Sequence, residues 1–110
     1  MTTALPVVII SNMKAIALIR RRVVVAEDAF AELAVWRLPA PVPPSGHPSK
    51  YRLAYVVQGR CVLRYDNERG KGDHRHVGEV ESDCVFETPE RLMQDFNADI
   101  TRWNHENGRS

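Results

Sequence analysis

The chain has 110 residues, of which 44% are hydrophobic and 26% charged, with a formal net charge of +1. That length suits one domain, and the balance is that of an ordinary soluble globular protein. The charge excludes a strongly basic nucleic-acid protein of the histone kind, yet leaves room for an RNA enzyme that makes few phosphate contacts.

Cys61 and Cys84 form neither a Cys-x-x-Cys pair nor a disulfide framework, and read as reduced thiols of a cytoplasmic protein. Leu5–Ile10 is apolar but far shorter than the roughly 20 residues a helix needs to cross a membrane. It has no basic segment before it and no cleavage site after it, so neither a membrane span nor a signal peptide is expected.

Residues 1–12 read as an N-terminal extension and 13–110 as the domain, because Met13 directly precedes Lys14 and the first long apolar run. Val7–Ile10 is β-branched enough to form an extra strand instead. Ala15–Val25 predicts a strand, interrupted by Arg20-Arg21-Arg22. Three consecutive arginines alternate across both faces of a strand, so the triplet is either a phosphate contact or a strand end emerging into water. The turn Ala26-Glu27-Asp28-Ala29 leads to a second strand, Phe30–Leu38, apolar on both faces. Pro39–Pro48 holds five of the seven prolines and can be only a stiff connection. His47 within it is a distant candidate for an active site.

Lys50–Gln58 is the cleanest strand, with Tyr51, Leu53, Tyr55 and Val57 on one side. Gln58-Gly59 turns the chain, and Arg60–Tyr65 returns. Val77–Val80 adds a few strand residues, and Glu79, Glu81 and Asp83 form a solvated acidic patch or a turn. A helix signal follows, with Thr88 as N-cap, Pro89 at the first position and Glu90 at the positive end. Leu92, Met93, Phe96, Ile100 and Trp103 recur at helical spacing and should face the core. The expected fold is α+β, an antiparallel sheet of four to five strands with a C-terminal amphipathic helix packed on one face.

The richest chemistry lies in Tyr65-Asp66-Asn67-Glu68-Arg69-Gly70-Lys71-Gly72-Asp73-His74-Arg75-His76, read as a glycine-containing loop at the end of the fourth strand. It carries two of the four histidines, three cations and three carboxylates whose charges cancel. Composition alone allows a hydrated hairpin with ion pairs along its rim.

This run, together with Val35-Trp36-Arg37-Leu38-Pro39 and Lys50-Tyr51-Arg52-Leu53, resembles the TumE-like family, small bacterial and archaeal toxins of toxin–antitoxin loci. The resemblance extends from about Met13 to the C-terminal helix. Members start near Met13, which sets residues 1–12 apart. The resemblance implies a partner antitoxin with a helix-turn-helix DNA-binding domain. It brings no catalytic assignment, so the residues must supply the chemistry.

RNA cleavage without metal needs a base for the ribose 2′-hydroxyl, an acid for the departing 5′-oxygen and cations for the phosphorane. His74 and His76 are the candidate acid–base pair, on one side of an extended backbone and roughly 6–7 Å apart. Arg75 then points away unless the chain turns, which leaves Arg69 and Lys71 as equally good phosphate clamps. Gly70 and Gly72 can turn their N–H groups inward as an anion nest. Tyr65 can orient a proton or stack on a base. Asp66 or Asp73, with Glu68 beside them, can fix a histidine tautomer. The competing chemistry is a divalent ion held by His-x-His with Asp73 and Glu68, opposed by three cations in the same stretch. The reading is therefore an endoribonuclease with no metal and no cofactor. A non-enzymatic binding module remains the alternative from another class. A nucleotide-transferring toxin is disfavoured, because there is neither a P-loop nor a nucleotidyltransferase pattern.

Overall fold

The computed structural model describes residues 7–10, 13–41, 43–68 and 70–109. The strands are β1 (Val7–Ile10), β2 (Met13–Ala26), β3 (Ala29–Arg37), β4 (Ser49–Val57), β5 (Arg60–Glu68), β6 (Gly72–Val77) and β7 (Val80–Asp83), followed by helix α1 (Pro89–Glu106). All seven pair antiparallel in chain order in one sheet, and α1 crosses one face. The α+β class stands as expected, but the sheet exceeds four to five strands. Val7–Ile10 pairs with Met13–Ile16 as an additional strand. The other difference lies in the central stretch, which is a hairpin and not a loop on a strand end.

That difference has a local cause. β5 continues through Glu68, and β6 starts at Gly72, so only a tight turn separates them. Gly70 and Gly72 adopt φ of +87° and +77°, the left-handed region in which a side chain is strained. Those two glycines let the chain reverse at once. A second reversal at Gly78 (φ +60°) starts β7, so the acidic run after Val77 is partly strand.

The core lies between α1 and the helix-facing side of the sheet. Period-two alternation puts Tyr51, Leu53, Tyr55 and Val57 of β4 on that side, with Ala29, Ala31 and Val35 of β3 and Leu63 and Tyr65 of β5. This settles the inward face of β3, which its own pattern left open. From the helix, Leu92 and Phe96 are buried, while Met93, Ile100 and Trp103 pack half-buried against the same core. Thr88 caps the helix by accepting from the Arg91 backbone N–H at 3.0 Å. The three arginines of β2 are all exposed. Arg22 lies 3.3 Å from Glu32 and stacks 4.1 Å over the Phe30 ring. The triplet pairs with Glu32, Leu33 and Ala34 of β3 inside β2, so it is an exposed mid-strand run and not the strand end expected.

The proline-rich connection folds onto the β5–β6 turn. Gly70 N–H donates to the Pro43 carbonyl at 3.1 Å. Asn67 Nδ2 donates to the Ser49 carbonyl at 2.7 Å, and its Oδ1 accepts from Tyr51 N–H at 2.9 Å. A Cβ on Gly72 would come within 3.1 Å of Pro44 Cγ. Among the described residues, no helix is long and apolar enough to cross a membrane.

At the far end, Arg109 clamps Asp28, which also accepts from Gln58 at 3.1 Å. The Arg109 hydrogen bond first, and Gln58 second, lower the Asp28 carboxyl from 3.8 to about 2. A depressed acid contributes stability that is fully present above its unfolded value and lost as pH falls through its folded one. The tie between helix end and β2–β3 turn should thus loosen between about pH 4 and pH 2, and salt should weaken it. Faster amide exchange over the last helical turn in that window is the expected measurement. An unchanged acid profile in Asp28→Asn would show that the clamp contributes nothing.

Candidate functional site

The register between β5, β6 and β7 builds the site. Asp66 pairs with His74 and Arg64 with His76, while His76 pairs with Glu81. Residues opposite one another in an antiparallel pair share a face. Arg64, Asp66, His74, His76 and Glu81 therefore converge on the face away from α1.

His74 is buried, with 3% of its surface exposed. Its Nδ1 lies 3.1 Å from the Gly72 carbonyl, which can only accept, so Nδ1 carries the hydrogen. Its Nε2 lies 2.7 Å from Asp66 Oδ1, yet neither atom has a well-directed hydrogen bond. The two imidazole rings meet edge to face with centroids 5.1 Å apart. His76 is more open, and its Nε2 receives Arg64 Nη2 at 3.0 Å. An arginine cannot accept, so this nitrogen holds a lone pair. Arg64 Nε also approaches Asp66 Oδ2 at 3.3 Å. Glu81 Oε2 stands 3.5 Å from His74 Nε2 and 3.4 Å from His76 Nε2, and 3.8 Å from Lys71 Nζ.

Tyr65 and Arg75 are on the opposite face. They pair with each other in register and reach Asp99 of α1, whose Oδ2 accepts from Tyr65 OH at 2.5 Å and from Arg75 Nε at 2.8 Å. Burial first, and the Asp99 carboxylate second, push the Tyr65 hydroxyl well above its ordinary range, so it serves as a donor and not a base. These two residues border a cleft of about 370 Å³ between β6 and α1, away from the histidines. Asp73 also leaves the histidine pair. Its Oδ1 accepts from His47 Nε2 at 2.8 Å and Tyr51 OH at 2.9 Å, so the tautomer it orients is that of His47. His47 in turn packs tilted against the Phe86 ring, with centroids 3.9 Å apart, and anchors the proline-rich connection. Beside it, burial pushes the Cys84 thiol up, so that sulfur is not poised as a nucleophile.

Gly70 and Gly72 form the turn, but Gly70 N–H is engaged by Pro43, which leaves no anion nest at that nitrogen. Lys71 is exposed at the rim. Arg69 and the Glu68 side chain lie outside the described residues. Two members of the cluster were not singled out from the sequence. Arg64 sits two residues before Asp66, the same-face spacing that joins His74 to His76, and that was its signal. Glu81 had none, because only the β6–β7 register brings it across.

No curated protein and no solved structure matches the chain. The family model described as Toxin TumE matches residues 11–104, which spans both the histidine hairpin and almost all of α1. The chain belongs to the TumE toxin family.

Proposed function

We propose that the protein is the toxin of a toxin–antitoxin pair and acts as a metal-independent endoribonuclease at the Arg64–Asp66–His74–His76–Glu81 face. The observation that carries this is the His76 Nε2 lone pair, held beside a guanidinium on an accessible sheet face. In the reaction, His76 takes the proton of the ribose 2′-hydroxyl. The 2′-oxygen bonds to phosphorus as the bond to the 5′-oxygen breaks. Arg64 leaves His76 for the phosphate oxygens, which it can grip with two hydrogen bonds, and Lys71 adds charge at the rim. His74 is too buried to meet RNA directly. It acts from its imidazolium form, which carries a second proton at Nε2; that proton passes to Glu81, whose carboxylate approaches both imidazoles, and from Glu81 to the leaving oxygen. Asp66 and the Gly72 carbonyl hold His74 in place, the role expected of a carboxylate beside a histidine.

The products follow from that chemistry. Purified protein should cut RNA in the presence of EDTA and leave 2′,3′-cyclic phosphate and 5′-hydroxyl ends. EDTA-sensitive cleavage leaving 5′-phosphates would replace the mechanism with a metal-dependent one. The extent of ion pairing in the cluster supports a second reading, a binding surface without catalysis, for which no RNA would be cut under any condition.

The family implies a cognate antitoxin, and we propose one with a helix-turn-helix DNA-binding domain. Co-expression with the neighbouring gene should give a stable complex and restore growth. Lack of association, with no growth defect when the protein is expressed alone, would contradict the toxin–antitoxin reading.

A further inference from the structure

The geometry points to a divalent transition-metal site formed by His74 Nε2, His76 Nε2, Asp66 Oδ1 and Glu81 Oε2, with Zn²⁺ as the natural occupant. Because Nδ1 gives its hydrogen to the Gly72 carbonyl, neutral His74 presents a lone pair at Nε2. Nε2 lies 2.7 Å from Asp66 Oδ1, another electron-rich atom, out of line for a hydrogen bond to it. Both atoms are buried and lack a hydrogen-bond partner in the protein. Two such atoms stay that close only with a positive species between or beside them, a proton or a metal ion. Unpaired buried polar groups are costly, so the arrangement favours capture of a cation.

The remaining donors are spaced for coordination. Ligand atoms of Asp66, His74 and His76 all lie within 4.8 Å of one another. Zinc bonds of about 2.0–2.1 Å in a tetrahedron put neighbouring ligand atoms about 3.3 Å apart. Glu81 Oε2 meets that spacing to both imidazoles, at 3.5 Å and 3.4 Å. The Asp66–His74 edge, at 2.7 Å, must open by about 0.6 Å, and the widest edge must close. The carbonyl behind His74 Nδ1 is the kind of support that orients a metal-ligating imidazole. Two imidazoles with carboxylates suit Zn²⁺, Co²⁺ or Ni²⁺ better than Mg²⁺ or Ca²⁺, which prefer oxygen alone.

Arg64 opposes the site, since Nη2 occupies the His76 lone pair and Nε approaches Asp66. Its side chain is one-third exposed, so it can swing into solvent as the metal enters. Lys71 beside Glu81 opposes it more weakly from the rim. Metal and RNA would compete for the same His76 lone pair, a consequence that rests on the ribonuclease reading above. Metal occupancy then silences cleavage and EDTA restores it.

Binding can be measured without any activity. Untagged, metal-stripped full-length protein titrated with Zn²⁺ in a calorimeter should bind one equivalent, and Co²⁺ should give the visible bands of tetrahedral coordination. His76→Ala and Glu81→Gln should each weaken binding by about tenfold or more, as loss of a ligand costs at least as much as loss of its support. Arg64→Gln should tighten it, which no merely structural effect of substitution predicts. Absence of one-to-one binding, or affinity indifferent to His76→Ala, would overturn the site. Failure to cut RNA with or without metal would remove the ribonuclease reading and leave the metal site standing. Cleavage that rises with Zn²⁺ would keep the site and refute metal-free catalysis.

Discussion

His76→Ala should reduce RNA cleavage by about 10²–10⁴-fold, the usual contribution of a positioned acid or base, while the protein still melts as one folded unit. His76 keeps 21% of its side-chain surface exposed, and its backbone pairing does not depend on the imidazole. His74→Ala should abolish activity as well, but at a cost in stability. Removing a side chain that is 3% exposed takes away the counterpart of Asp66 and leaves a buried carboxylate with Arg64 as its main neighbour. Loss of such a partner costs about 1–3 kcal/mol. The two variants therefore separate the accessible group from the buried one, in activity per folded molecule and in melting. Arg64→Lys adds a third arm. It should impair cleavage if the guanidinium grips phosphate with two hydrogen bonds, and should change little if charge alone matters. Undiminished cleavage by the His74→Ala, His76→Ala double variant would remove this face from the reaction altogether.

Phe96→Ala should have the largest effect on stability, about 3–5 kcal/mol, the range for truncating a fully buried aromatic side chain. Phe96 has no exposed surface and meets the Tyr65 ring edge to face at a centroid distance of 5.4 Å. It lies one turn before Ile100 and one turn after Leu92, so the cavity opens at the centre of the helix–sheet contact. Its loss also loosens the neighbouring Tyr65–Asp99–Arg75 ties that hold α1 to β5 and β6. A domain of this size has only about 5–15 kcal/mol to lose. Thermal denaturation followed by circular dichroism should show a melting point lower by more than about 10 °C. Unchanged melting would mean that the helix stripe is not what closes the core.

The same residues show how far the amino-acid sequence reaches. Alternation at period two already determined that His74 and His76 share one side of an extended chain, and that Arg75 faces the other. It also determined the apolar face of β4, and the helix with its Thr88 cap and its Leu92–Phe96–Ile100 stripe, because these depend on neighbours within a few residues. Local pattern could not decide which residues stand opposite one another. Asp66, Glu68 and Asp73 were equal candidates to orient a histidine until the Gly70–Gly72 turn set Asp66 against His74 and turned Asp73 toward His47. A one-residue shift of that turn would have exchanged the faces. Tyr65 and Arg75 became helix anchors because Asp99 comes from a segment 24 residues beyond Arg75, a contact that only packing of α1 creates. Glu81 joined the histidines by the same kind of event, a second reversal at Gly78 that folds β7 back along β6. Side-chain direction along one strand is a local property of the pleat. The composition of a face spanning three strands depends on register, and register is decided by turn geometry together with burial of the opposite face against the helix.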